Sequence, residues 1–178
     1  MKEITFLGWK LLVDDEQTKL AYQNIIGTTE SCNCHWCSNF VAGREKSYPG
    51  EVLDFLAELG VDYTKEADLY QQARDETKNA IYYRWWFYFV GEIVEGTQAW
   101  KLVPKNGGEG QNYPYWQKNL VTLREKPLSF SIGFGDDPNR RLHGEEQFVP
   151  DALKPFDLVQ IEFNAEIAWV LPSKLPQI

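Results

Sequence analysis

The alternation of apolar and polar positions divides this chain into a largely helical first third and a strand-rich remainder. Residues 4–13 (Ile-Thr-Phe-Leu-Gly-Trp-Lys-Leu-Leu-Val) predict an opening strand kinked at Gly8. The stretch 17–26 fits either a helical turn or a second strand. Residues 38–42 (Ser-Asn-Phe-Val-Ala) predict one or two turns of helix. The strongest helical signal covers 49–59, where Val52, Leu53, Leu56 and Leu59 recur at the spacing of one helix face. Pro49 suits the first turn, Glu51 complements the helix dipole there, and Gly60 is a C-terminal stop. Thr64 offers a further capping signal, although 66–74 reads equally well as strand.

Beyond residue 80 the pattern is β. Residues 81–90 (Ile-Tyr-Tyr-Arg-Trp-Trp-Phe-Tyr-Phe-Val) are apolar on both alternating faces, which predicts a central strand covered on both sides. Gly91 permits a bend before Glu92-Ile93-Val94, and 97–103 predicts another strand. Lys105–Gly110 and Gly135–Gly144 carry the chemistry of polar loops. Between them, Leu128, Phe130, Ile132 and Phe134 alternate with Ser129, Ser131 and Gly133, the mark of a half-buried strand. Two final strands are predicted at 158–163 and 167–171. Segregation of helices from strands argues α+β: a mostly antiparallel sheet, or two packed sheets. One clear helix at about 49–59 and a short helix near the cysteines complete a single domain, 1–178.

Size and composition sharpen this picture. A chain of 178 residues buries roughly 70% of its unfolded surface, enough for a core without disulfides. Aromatic residues make up 15% of the chain, with 7 Trp, 9 Tyr and 10 Phe, which favours a sheet with an aromatic-lined face. The formal charge of −8 comes with scattered cations, the nearest cluster being Arg140-Arg141. A nucleic-acid binder needs a basic footprint, so no nucleic-acid partner is expected. No apolar run is long enough to span a bilayer, and Glu3 breaks a signal-peptide pattern, so no membrane partner is expected either. Three cysteines, an odd number, fit a reducing compartment, and the expected location is cytoplasmic.

Chemistry concentrates in Ser31-Cys32-Asn33-Cys34-His35-Trp36-Cys37. Three readings compete. Cys34 and Cys37 have the spacing of a zinc knuckle, and Cys32 could add a third thiolate. A closed zinc site takes four ligands, so His35, His143, a carboxylate or a partner would complete it. Alternatively, Cys34-x-x-Cys37 at a helix start beside an imidazole suits thiol redox chemistry, although no βαβ unit accompanies it. The third reading is three ordinary core thiols.

Other features carry less. Asp136-Asp137-Pro138-Asn139 lacks the glycine and distant glutamate of a calcium loop. Glu92, Glu95, Glu162 and Glu166 fall in strands where two could meet, but exposed sheet faces carry carboxylates routinely. Gly107–Gly110 lacks the Lys and Ser/Thr of a phosphate loop, Gly133-Phe134-Gly135 is uninformative, and no serine occupies a nucleophile elbow. No catalytic residue is assigned.

Larger pieces of the sequence form a pattern. Cys32-x-Cys34-x-x-Cys37-Ser38-Asn39-Phe40, Tyr48-Pro49-x-Glu51-Val52-Leu53, Trp86–Gly91, Ile161-Glu162-Phe163 and Trp169-Val170-Leu171 together resemble a family of small bacterial proteins of unknown function. Ala168 stands where that family has proline. The resemblance implies a bacterial, cytosolic, single-domain protein and carries over no catalytic residue. The leading functional expectation is a non-enzymatic binding or interaction protein with a protein or small molecule as partner. The alternatives are a zinc protein built on Cys32, Cys34 and Cys37, or a thiol-redox enzyme using Cys34 and Cys37.

Overall fold

The computed structural model describes residues 1–103, 115–136 and 149–173. His143, Arg140-Arg141, the loop Lys105–Gly110 and most of the loop Gly135–Gly144 lie outside the described residues.

The opening segment is a hairpin, not one kinked strand. β1 (Lys2–Phe6) and β2 (Trp9–Val13) pair antiparallel, with Phe6 opposite Trp9. Leu7 (φ 49°) and Gly8 (φ 87°) form the two-residue turn. Successive positive φ values match the twist of the flanking strands, but leucine in that conformation is no turn signal, which is why the sequence reads as continuous. The ambiguous stretch 17–26 belongs largely to a helix, α1 (Asp15–Tyr22), whose N-terminus is capped by Asp14 accepting from the Gln17 N–H. A 3₁₀ turn (Thr28–Ser31) leads to α2 (His35–Ser47), which runs well past the one or two turns expected at 38–42.

The predicted helix at 49–59 is α3 (Gly50–Glu58). At its end, Val61 N–H bonds the Leu56 carbonyl and Gly60 N–H bonds the Ala57 carbonyl, with Gly60 at φ 79°. That pair of bonds is the Schellman motif, and it uses the left-handed conformation glycine tolerates.

The strands are β3 (Asp68–Asp75), β4 (Ala80–Glu95), β5 (Trp100–Val103), β6 (Tyr115–Lys118), β7 (Val121–Arg124), β8 (Phe130–Asp136) and β9 (Leu158–Ala168). The sequence splits the last of these in two. It is one strand, because polar Gln160, Glu162, Asn164 and Glu166 share the face opposite the helices and two of them find cationic partners there. Trp169 to Leu171 leave the sheet. All the pairings among the described residues are antiparallel, and the main sheet runs β1-β2-β4-β9-β8-β7, with β3 also on β4. This is an α+β fold. Among the described residues, no helix is long and apolar enough to cross a membrane.

β4 is central, as its sequence predicts, and it is shared. β9 covers one side along Ala80–Val90, while on the other side β3 pairs with 80–86 and β2 with 91–95. Between those two partners the backbone of β4 is met by α1 side chains. The Tyr22 hydroxyl donates to the Tyr88 carbonyl (3.0 Å) and accepts from its N–H (3.3 Å). The Thr18 hydroxyl accepts from Val90 N–H at 3.0 Å, and Asp14 N–H bonds the Val90 carbonyl. Burial of unpaired backbone groups is thereby avoided.

The helices pack on the face bearing Tyr83, Trp85, Phe87, Phe130, Phe163 and Ile167, all fully buried or nearly so. Phe40 of α2 sits edge-on to Tyr83 and Trp85, and Trp85 stacks on Phe163 at 5.4 Å. The indole N–H of Trp85 donates to the Tyr48 hydroxyl at 2.7 Å, so this aromatic core is also satisfied in its polar atoms. On the opposite face Gly133 and Gly135 have a packing role. A Cβ on Gly135 would lie 1.7 Å from the Trp100 ring, and one on Gly133 would meet Ala99 at 2.6 Å. The glycines therefore seat the segment entering β5 against the sheet.

Candidate metal centre

The three cysteines meet where the 3₁₀ turn gives way to α2. Cys32 closes the turn, its N–H bonding the Thr29 carbonyl. Cys34 is the N-cap of α2, with extended backbone (φ −74°, ψ 159°) and its sulfur accepting from the Cys37 N–H at 3.4 Å. Sulfur here does the work of the usual serine or aspartate cap. Cys37 then lies one turn into the helix and points inward, 9% exposed.

The Cys32 and Cys34 sulfurs lie 3.3 Å apart, and all three sulfurs fall within 4.8 Å of one another. None is in a disulfide. Tetrahedral thiolates at about 2.3 Å from one zinc ion stand about 3.8 Å apart, so the observed spread brackets what a shared ion needs. Among the described residues the group comprises these sulfurs alone. His35, the first residue of α2, is exposed and outside it.

The sulfurs differ electrostatically. Hydrogen bonds from Cys37 and from the Cys34 backbone and thiol hold the Cys32 thiol below its ordinary pKa. Burial, reinforced by hydrogen bonds with Cys32 and Cys34, pushes the Cys37 thiol well up. A cation bound among them would reverse the second effect, since a coordinating thiol is deprotonated outright.

The residues around the knuckle hold it rigidly against the sheet. Fully buried Asn39 donates to the Ala168 carbonyl (3.2 Å) and the Tyr83 hydroxyl (3.4 Å), and accepts from Val170 N–H (2.9 Å). Tyr83 in turn donates to the Trp36 carbonyl at 2.9 Å, and the Trp36 ring meets Trp169 edge-on. One turn further on, Gly43 lets α2 approach β9, since a Cβ there would lie 2.6 Å from Ile167. Arg44 then forms a buried pair with Glu66 at 2.9 Å and also reaches Thr29 and the Thr64 carbonyl. The other Glu66 oxygen accepts from Thr29 N–H at 3.0 Å. The turn that delivers Cys32 and the helix that delivers Cys34 and Cys37 are thus cross-braced.

Two of the strand carboxylates have cationic partners, each its own. Glu162 is fully buried against Arg84 (2.8 Å) and the Trp100 indole (3.1 Å). Glu166 meets Lys78 (2.6 Å) and Ser129 N–H (2.8 Å). Glu92 and Glu95 are exposed at the far end of β4. The bracing by Asn39, Arg44 and Glu66 goes unseen in the sequence, where the only sign of it is the place of Asn39 in the cysteine motif. Compared with family models, curated proteins and solved structures, the chain matches none of them.

Proposed function

We propose that this chain is a non-enzymatic binding protein whose Cys32, Cys34 and Cys37 hold one soft divalent cation, zinc, as thiolates. The observation that carries this reading is the convergence of three sulfurs, from two differently folded segments, within 4.8 Å. A redox pair built on Cys34 and Cys37 needs only two thiols, whereas a third converging sulfur has its natural use in coordination. Thiolates select zinc among the common divalent ions. His143 is the candidate fourth ligand from this chain, and solvent or a partner residue would serve equally.

The role of the ion in this reading is structural. It fastens the 3₁₀ turn to the first turn of α2 and so fixes the end of β9 that Asn39 grips. The test is the metal content of protein purified without chelator or metal-affinity resin, with a parallel count of thiols reactive in the native state. We expect about one zinc per chain, unreactive thiols, and loss of both properties with thermal stability in Cys37→Ser. Affinity for added zinc should rise with pH, because each thiol must lose its proton to bind. Metal-free protein with a freely reactive thiol would overturn the proposal in favour of redox chemistry.

A further inference from the structure

A cleft of about 240 Å³ opens where the C-terminal half of α2, the β7–β8 turn and the exit of β9 meet. That space equals about eight water molecules' share of the liquid. Its walls are apolar, supplied mainly by Pro127, Leu128, Ile167 and Val170, and two cations, Lys46 and Arg124, stand on it.

The other polar atoms of the cleft are committed within the fold. The Ser47 hydroxyl donates to the Arg44 carbonyl, and the Ala168 carbonyl accepts from Asn39. The Ser47 and Leu128 carbonyls accept from Arg124 itself, each at 2.8 Å. Those bonds fix the guanidinium in place and use two of its five N–H groups. Neither accepting carbonyl carries a charge.

Arg124 is exceptional in this chain. Among the described residues, Arg44, Arg74 and Arg84 each have a glutamate partner, and Arg124 has none. Lys46 also has no carboxylate partner among the described residues. This holds although acidic residues outnumber Lys and Arg by 26 to 18. The bond to Ser47 and the dipole of α2 account for cations near this helix end. They do not account for a half-buried guanidinium, anchored by neutral groups over an apolar cleft, that lacks a counter-charge in an acidic protein. A planar fork of donors is matched to a carboxylate.

We propose that this cleft binds a small monocarboxylate, its head on Arg124 and Lys46 and a short apolar body against Pro127, Leu128, Ile167 and Val170. The site is separate from the cysteine knuckle and stands whether or not a metal binds there.

Titration of the full chain with sodium octanoate, followed by calorimetry and amide chemical shifts, tests it. The expected result is saturable binding of one equivalent with a Kd on the order of 0.1–1 mM. Shifts should centre on Leu128, Ala168 and Val170, and octan-1-ol should bind at least tenfold more weakly. Arg124→Gln should abolish binding. Lys46→Gln, which removes an exposed side chain without hydrogen bonds among the described residues, should weaken binding about threefold to tenfold and lower the melting temperature by no more than about 4 °C; it decides the matter if Arg124→Gln fails to fold. Absence of saturation, equal affinity for the alcohol, or an unaltered Kd in Lys46→Gln would each overturn the proposal. So would shifts at the same residues caused by a peptide with a free C-terminal carboxylate but not by octanoate, which would assign the cleft to a chain terminus.

Discussion

Asn39 shows how much one side chain can determine. Both ends of its amide are engaged in a fully buried setting, and its partners Ala168 and Val170 belong to a segment more than a hundred residues away. Replacement by alanine leaves the Val170 N–H and the Ala168 carbonyl without these partners. The expected cost is about 2–4 kcal/mol, read as a lower urea midpoint with an unchanged slope. Nothing local announces this. Cys32, Cys34 and Cys37 are legible because a knuckle is defined by spacing within six residues, whereas the value of Asn39 depends on where β9 ends. The same limit hid Gly135, whose missing side chain matters only because Trp100 returns to lie on it.

At the scale of elements, the pattern of α3 and the two-faced apolarity of β4 were readable because each is set by neighbours in sequence. The length of α2 is not legible because four of its six buried positions carry no apolar side chain. Its inward side includes Asn39, Gly43, Arg44 and Ser47, so the apolar stripe fades after Phe40. The helix keeps its inward side buried there because Arg44 pairs with Glu66. Glu66→Ala should therefore destabilise the fold by about 3–5 kcal/mol, since it strands a buried guanidinium. The double variant Arg44→Met/Glu66→Leu should recover most of that loss in the same denaturation assay. The continuity of β9 is hidden for a related reason: the carboxylates that interrupt its apolar run meet Arg84 of β4 and Lys78 of the β3–β4 turn, and such pairing is not a local property.

The whole molecule carries a surplus of negative charge, and acid acts on it through specific carboxylates. Burial pushes the Glu166 pKa up, but Lys78 and the Ser129 N–H outweigh it, and the net position is below the ordinary value. A carboxyl with a depressed folded-state pKa adds stability above its unfolded pKa, about 4.3, and that stability is lost as the pH falls through the lower folded value. Glu166→Gln should accordingly reduce stability at pH 7, with the difference from wild type shrinking below about pH 4 in parallel denaturant titrations. Among the described residues the middle of β4 has no strand beside it on its α1 side, and two hydroxyl groups, from Thr18 and Tyr22, meet its backbone instead. Helix α1 therefore doubles as a sheet neighbour, and removing both hydroxyls would take these partners from the Tyr88 peptide group and the Val90 N–H inside the fold, loosening helix and sheet together.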